Sequence, residues 1–410
     1  MQSNFSKILQ QEKEKKRASV HSFHRYFGKF IPAIPGAAID CYTNPGDTIL
    51  DTFVGSGTSM VEAKFKNRNA IGIDINPISI LIAKVKTTHL EESDISAELE
   101  KILSNFPKKS SNNLEEPYCV NIDHWFWQDV KQDLLKLRSC ILEIQDQDMR
   151  DFFLATFSAF MRSVSNCDPM HVFPGYSKRL RALDAAGKRK INVIESYKNA
   201  IKKRAKEVSE IPKNTTNVKL FNCSARQLPA DVSHIKLVVI NPPYISSIRY
   251  LETLKIEMGW LGLINSQKDY LELDKKTIGT ERFYKNDFMK ISTSHQIAEL
   301  NQQIENIYPK YPKMAKVVSD YFDNMTLVFQ EISRVLDPSG HLVIKISDSK
   351  VRTEHIPTHQ YFIDILEDLG FRLIEKIRDD FDQNSRSLLT TRNSYSGIMN
   401  FDWILIFEKP

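Results

Sequence analysis

Two short apolar runs, residues 47–51 and 70–74, flank a glycine-bearing turn at 53–58 and a helical stretch at 60–66. Strand, tight turn, helix and strand in that order make a βαβ unit, the opening of a doubly wound parallel sheet. After Lys86 the apolar spacing becomes that of helices, over 95–106, 130–144, 149–164 and 190–208, with prolines and polar loops between. Strand patterning resumes at 218–221 and at 235–240, the latter an almost unbroken apolar run. Residues 245–313 show no clean period and read as irregular. An amphipathic helix follows at 320–336, then a Pro338-Ser339-Gly340 turn, a strand at 341–346, a helix at 361–369 and strands at 372–377 and 401–407. The last strand alternates poorly, as a strand with neighbours on both sides does. The pattern predicts a Rossmann-like α/β core made of 18–86 and 214–410. A helical, basic insertion occupies 87–213, and a second, irregular insertion occupies 245–313.

Composition narrows the class. A chain of 410 residues with 41% hydrophobic and 26% charged positions can bury a substantial core. No stretch approaches the roughly 18 apolar residues of a membrane span, and the first residues are polar, so a cytoplasmic protein with no membrane partner is expected. Five cysteines, widely spaced and without CxxC pairing, suggest neither a disulfide framework nor a metal site.

Charge matters once it is located. The whole chain is only +5, yet residues 176–206 alone hold eleven Lys/Arg against Asp184 and Glu195, a local +9. Within that stretch Lys178, Arg179, Arg181, Lys188, Arg189 and Lys190 are the candidate DNA-binding residues, since clustered cations attract a polyphosphate. Arg249, Lys275, Lys276, Arg282 and Lys285, mixed with Phe283 and Tyr284, form a second basic and aromatic group.

Candidate chemistry lies at the ends of two strands. Asn241-Pro242-Pro243-Tyr244 follows the apolar run directly. Asn241 and the carbonyl of Pro242 can accept hydrogen bonds from a planar NH2, the prolines stiffen the backbone, and Tyr244 offers a stacking face. Near the start, the stretch from Asp51 to Thr58 places glycines where a strand must turn sharply into a helix with its backbone close to a ligand. Asp74 comes 19 residues after Gly55, at the next strand end, where a Rossmann-like site holds ribose hydroxyls. Met60 breaks the dinucleotide pattern GxGxxG, which argues against NAD.

With these motifs in this order the chain resembles the S-adenosylmethionine-dependent amino-methyltransferases of DNA, of the adenine-N6 and cytosine-N4 type. The family's DxFxGSGT loop is matched at 51–58, its GxDxNP at 72–77 and its [DNS]PP[YFW] at 241–244. Residues 24–32 are similar to its H-x-Y-x-x-K-F-x-P segment. The resemblance covers 20–86 and 218–410 and implies a seven-stranded class I methyltransferase sheet. It also implies S-adenosylmethionine as cofactor, double-stranded DNA as partner and, in a restriction-modification or related defence system, a cognate restriction endonuclease. Carried over residue by residue, Asn241, Pro242, Pro243 and Tyr244 are catalytic. Phe27 and Lys29 belong to the segment over the methionine end; Phe53, Gly55, Ser56, Gly57 and Thr58 line the cofactor; Asp51 approaches its amino group; Asp74 and Ile75 meet its ribose side. Ser224 stands where the family has a carboxylate near the adenine ring. Asn before Pro-Pro points to adenine as the methylated base. Cytosine-N4 is the second reading, because the GSGT loop and the aromatic-rich first segment also occur in cytosine enzymes. Glutamine side chains of proteins, whose methyltransferases can share NPPY, and guanine in RNA are further alternatives.

Overall fold

Leu237, Val238, Val239 and Ile240 have no exposed surface, which is the environment an unbroken apolar strand requires. In a computed structural model, describing residues 3–410 apart from 112–113, 170, 246–248, 284–290, 292–294 and 381–400, that strand lies mid-sheet. The strands of this sheet are β1 (Thr48–Asp51), β2 (Asn69–Ile73), β3 (Val218–Phe221), β4 (Ile235–Ile240), β5 (Leu336–Ile346), β6 (Arg372–Asp380) and β7 (Phe401–Glu408). Their order across the sheet is β3-β2-β1-β4-β5-β7-β6. β1 to β5 are parallel, while β7 runs antiparallel to β5 and β6.

The order reverses between β1 and β4, which pair through Leu50 and Val238. A crevice therefore opens beyond their carboxyl ends, the place where open α/β sheets bind ligands. Asp51 closes one of these strands and Asn241 follows the other.

Alternate strand residues feed two cores, as the two-residue period demands. Leu50, Val238, Leu342, Ile344 and Leu405 pack with helices Pro312–Val335 and Thr358–Asp368. Ile49, Leu237, Val239, Val343 and Ile404 pack with helices Ala33–Tyr42 and Thr58–Phe65 and with Phe5 and Leu9 of Asn4–Glu14. Between Lys86 and β3 the described residues form helices, among them Glu92–Asn105, Gln128–Leu142, Gln147–Met161, Lys178–Ala185 and Val193–Ser209. These hold a further core in which Phe157 packs against Phe160, Tyr197 and Trp260.

Three local readings change. The region expected to be irregular, 245–313, contains helices Tyr250–Thr253, Lys255–Trp260, Gln267–Lys275 and Ala298–Ile307; their shortness hid the period, although Ser266 caps one by accepting from the Asp269 amide at 3.1 Å. The helix expected from 320 starts at Pro312, a residue whose fixed φ suits the first helical position. The Pro-Ser-Gly turn stays inside β5 as an excursion with Ser339 at φ 59°, pinned because Ser339 N–H donates to Lys409 O at 2.7 Å.

Phe157→Ala removes a fully buried ring from the helical core, and a loss of about 3–5 kcal/mol is expected in urea unfolding. A loss below about 1 kcal/mol would show that this core closes around the gap or does not unfold with the rest.

Candidate functional site

The loop after β1 is built around two carboxylates. Asp51 Oδ1 accepts from the Phe53 amide at 2.9 Å, and its Oδ2 accepts from the Ser59 hydroxyl. Asp74 Oδ2 accepts from the Gly55 amide at 2.8 Å, while Oδ1 accepts from the Asn76 amide at 2.8 Å. To present its amide this way Gly55 adopts φ 48°, and a Cβ there would meet the Tyr26 ring at 3.3 Å. Gly57, at φ 76°, lets the following helix pass the next: a Cβ would lie 2.8 Å from Ala83 Cα. Beneath the loop Lys86 is 1% exposed and donates to the Ser56 carbonyl at 2.6 Å.

A remote segment covers the crevice. Tyr26 stacks on Tyr250 with ring centroids 6.4 Å apart, and its hydroxyl is 3.1 Å from Ser79 Oγ. Lys29 donates to the carbonyls of His21 at 3.0 Å and His24 at 2.7 Å, folding the segment on itself. Asn241 Nδ2 donates to the Gly28 carbonyl at 3.2 Å, and Asn241 Oδ1 accepts from the Tyr244 hydroxyl at 3.4 Å. The donor end of the Asn241 amide is thus engaged, and its carbonyl oxygen, which has two lone pairs, can accept a further bond beside that from Tyr244.

An open cavity joins these elements. Of the residues singled out in the sequence, Lys29, Asp51, Phe53, Gly55, Ser56, Thr58, Asp74, Ile75, Ser224, Asn241 and Pro243 line it. Phe27, Gly57, Pro242 and Tyr244 are not in its wall. Phe27 lies under the Arg25 guanidinium at 4.5 Å, Pro242 is buried, and Tyr244 packs against the sheet core. Lining residues without a sequence signal include Tyr250, Thr277 and Ile278, which come from the region read as irregular, and Lys276 of the second basic group also lines it.

The basic stretch divides. Arg181 stacks over Trp127 at 4.1 Å and donates to the Tyr176 hydroxyl at 2.6 Å. Arg189 donates to the carbonyls of Ser163 at 3.0 Å and Ser165 at 2.8 Å. Both act as internal brackets, whereas Lys178, Arg179, Lys188 and Lys190 are exposed. Tyr284 and Lys285 lie outside the described residues.

Electrostatics sets the site's resting state. Burial raises Asp51 to about 7 against the opposing pull of its Ser59 and Phe53 donors, and raises Asp74 to about 6. Burial lowers Lys86 to about 7, helped by the nearby Lys29 charge. Two desolvated carboxylates facing one cavity favour a ligand that brings a cation and hydroxyl donors.

This sheet order, with a glycine turn after β1 and a carboxylate after β2, defines a Rossmann-like class I methyltransferase. A family model described as DNA methylase matches residues 3–85. The chain is 26% identical over 366 residues to the type II methyltransferase M.MvaI of Kocuria varians, covering 82% of this chain and 79% of that protein. It is 23% identical over 462 aligned residues to M.BsoBI of Geobacillus stearothermophilus, covering 99% and 89%. A shorter match, 44% identical over 115 residues, links it to M.MjaII of Methanocaldococcus jannaschii, with 27% and 21% covered. The family-model match and these relatives make the chain similar to the S-adenosylmethionine-dependent DNA amino-methyltransferases.

The raised carboxyls predict a pH dependence. Their folded pKa values of about 7 and about 6 exceed the unfolded value of about 3.9, so their contribution is full below about pH 4 and is lost as pH rises through 6 to 7. In ligand-free protein, Asp51→Asn should flatten the fall of the urea midpoint between about pH 4 and pH 7. An equal or steeper fall in the variant would refute the burial of Asp51 as its cause.

Proposed function

We propose that this enzyme transfers a methyl group from S-adenosylmethionine to the exocyclic amine of a base in double-stranded DNA, within a short recognition sequence. The observation that carries the reading is the Asn241 carbonyl at the edge of the cavity, one strand from Asp51, with its amide nitrogen already engaged by Gly28. The cofactor suits the residues present. Asp51 and Asp74 offer carboxylates for an ammonium and for ribose hydroxyls, and Gly28 and Gly55, at φ 66° and 48°, let backbone approach the ligand. When bound, S-adenosylmethionine supplies an electrophilic sulfonium methyl.

The chain's own groups do the rest. An aromatic amine is a weak nucleophile because its lone pair is delocalised into the ring. Acceptors at Asn241 Oδ1 and the Pro242 carbonyl favour a pyramidal nitrogen and stabilise the positive charge it gains during attack. Pro242 and Pro243 hold both acceptors without rearrangement, and alignment of the amine with the methyl lowers the barrier further. Since a duplex hides the amine, the base is flipped out to reach the site, and Tyr244 supplies its stacking face.

Adenine is the base we assign, on Asn241 ahead of the proline pair; cytosine-N4 is the second reading, favoured by the GSGT loop. The exposed cations of the insertion contact phosphates, and the region after Tyr244 reads bases. Relatives named type II methyltransferases support a place in a restriction-modification system beside a cognate endonuclease.

Asn241→Ala should lower methyl transfer by about 10²- to 10³-fold while leaving S-adenosylhomocysteine binding nearly intact; unchanged turnover removes Asn241 from the chemistry. Digestion of DNA from a methylation-free host expressing the enzyme, followed by mass analysis, should give N6-methyladenine. Modified cytosine would reverse the choice of base, and unmodified DNA would refute the substrate. Charge reversal at Lys178, Arg179, Lys188 and Lys190 should weaken DNA binding and reduce its log–log salt slope by about 0.9 for each phosphate that is no longer neutralised. An unchanged slope would remove these residues from the interface.

A further inference from the structure

Ser224 occupies the part of the cavity farthest along the sheet from the chemistry. It follows β3, which lies three strand positions from β4 and Asn241. The turn is tied to the end of β2, because Asn222 Nδ2 donates to the carbonyls of Asp74 at 2.9 Å and Ile75 at 3.0 Å. If Asp74 holds ribose and Asn241 holds the methyl acceptor, this corner receives the adenine of the cofactor.

The polarity of Ser224 there is set by a neighbour. A hydroxyl has one proton to give and two lone pairs. Arg226 addresses the lone pairs, donating to Ser224 Oγ from its backbone amide at 3.3 Å and from Nε at 3.0 Å. A guanidinium cannot accept, so the hydroxyl proton is not used on Arg226, and no described residue accepts it. The remaining guanidinium nitrogens donate to Asn324 Oδ1 at 2.6 Å and to the Lys276 carbonyl at 2.7 Å. Asn324 in turn gives its amide nitrogen to the Asp320 carbonyl, which keeps its oxygen toward Arg226. One side chain therefore links the turn after β3, helix Pro312–Val335 and the Lys276–Ile278 wall of the cavity.

We propose that Ser224 reads the cofactor's adenine by donating to a ring nitrogen, and that Arg226 is the positioning residue that fixes this polarity and holds the adjoining wall. A carboxylate at the same place can only accept, and so would read the 6-amino group; a hydroxyl whose lone pairs are occupied does the opposite. Recognition of the cofactor then depends on an acceptor in the ring and is indifferent to the exocyclic amine. This inference rests on the pocket being the S-adenosylmethionine site.

The test is calorimetric binding of S-adenosylhomocysteine, of its analogue with hydrogen in place of the 6-amino group, and of its 1-, 3- and 7-deaza analogues. Wild-type protein should bind the 6-deamino analogue as it binds the parent, and one deaza analogue about five- to ten-fold more weakly, the net worth of one hydrogen bond. In Ser224→Ala that deaza analogue and the parent should bind alike. Arg226→Lys, which keeps the charge but loses the fork, should shrink the same discrimination while thermal melting confirms a folded protein. Equal binding of all three deaza analogues by the wild type, or selective loss of the 6-deamino analogue, would overturn the proposal. Failure of S-adenosylhomocysteine itself to bind would overturn the cofactor reading, and this inference with it.

Discussion

The amide of Gly55 donating to the Asp74 carboxylate closes the loop after β1 onto the end of β2, and the half of the cavity lined by that loop hangs from that contact. Taking a carboxylate out of water is costly unless its oxygens are given donors. Asp74 has two backbone amides, and Asp51 has an amide and a hydroxyl, so each acid is held in place by main chain that it in turn orders. The left-handed φ of Gly55 is a condition of this geometry, and the absence of a Cβ lets Tyr26 lie against the loop. Desolvation leaves both acids with raised pKa values, so the site is electrostatically unfinished until a ligand supplies positive charge or hydroxyl donors.

Three stretches far apart in the chain meet at this end of the sheet. The Asn241–Gly28 hydrogen bond spans 213 residues, and it sets the orientation of the Asn241 side-chain amide. Gly28 can approach because it lacks a side chain: a Cβ would sit 3.0 Å from the Tyr250 hydroxyl. Lys29 and Lys86, which by residue type look like surface charges, instead donate to backbone carbonyls, Lys29 to those of His21 and His24 in its own segment and Lys86 to that of Ser56 in the loop. Burial lowers both of their pKa values, consistent with a structural use of the ammonium as a donor more than as a charge.

What can be read from sequence follows the range of the interactions involved. β1, β2 and β4 lie within a residue of their expected bounds because glycine, aspartate or proline punctuates each one, and the glycine loop announces itself through its spacing to Asp74. The β5 excursion reads as a turn because Pro338-Ser339-Gly340 is a local turn signal, whereas its retention in the sheet depends on bonds to Lys409 at the far end of the chain. The short helices between 250 and 307 lack the length that makes a period visible. The cavity-wall residues Tyr250, in one of these helices, and Thr277 and Ile278, just past the end of another, therefore have no sequence signal. Arg226 is equally silent: nothing nearby tells that its guanidinium joins Ser224, Asn324 and Lys276.

Charge in the insertion shows why counting residues overstates an electrostatic footprint. Arg181, Arg189 and Arg204 direct guanidinium groups at a tryptophan face, a phenol or backbone carbonyls, a use that suits a rigid multi-donor fork. The lysines at 178, 188, 190, 202, 203 and 206 stay at the surface on flexible stems, so the field available to a polyphosphate comes mainly from them and from Arg179. Attraction of that kind orients a duplex but carries no sequence information. Discrimination between bases requires groups that reach base edges close to Asn241. Arg249 stands at that junction, five residues past Tyr244, with its guanidinium 5.7 Å from the Phe173 ring of the insertion and 2.9 Å from the Glu252 carboxylate. Its two partners lie on opposite sides of the junction, so this side chain links the insertion to the helix that follows the catalytic motif.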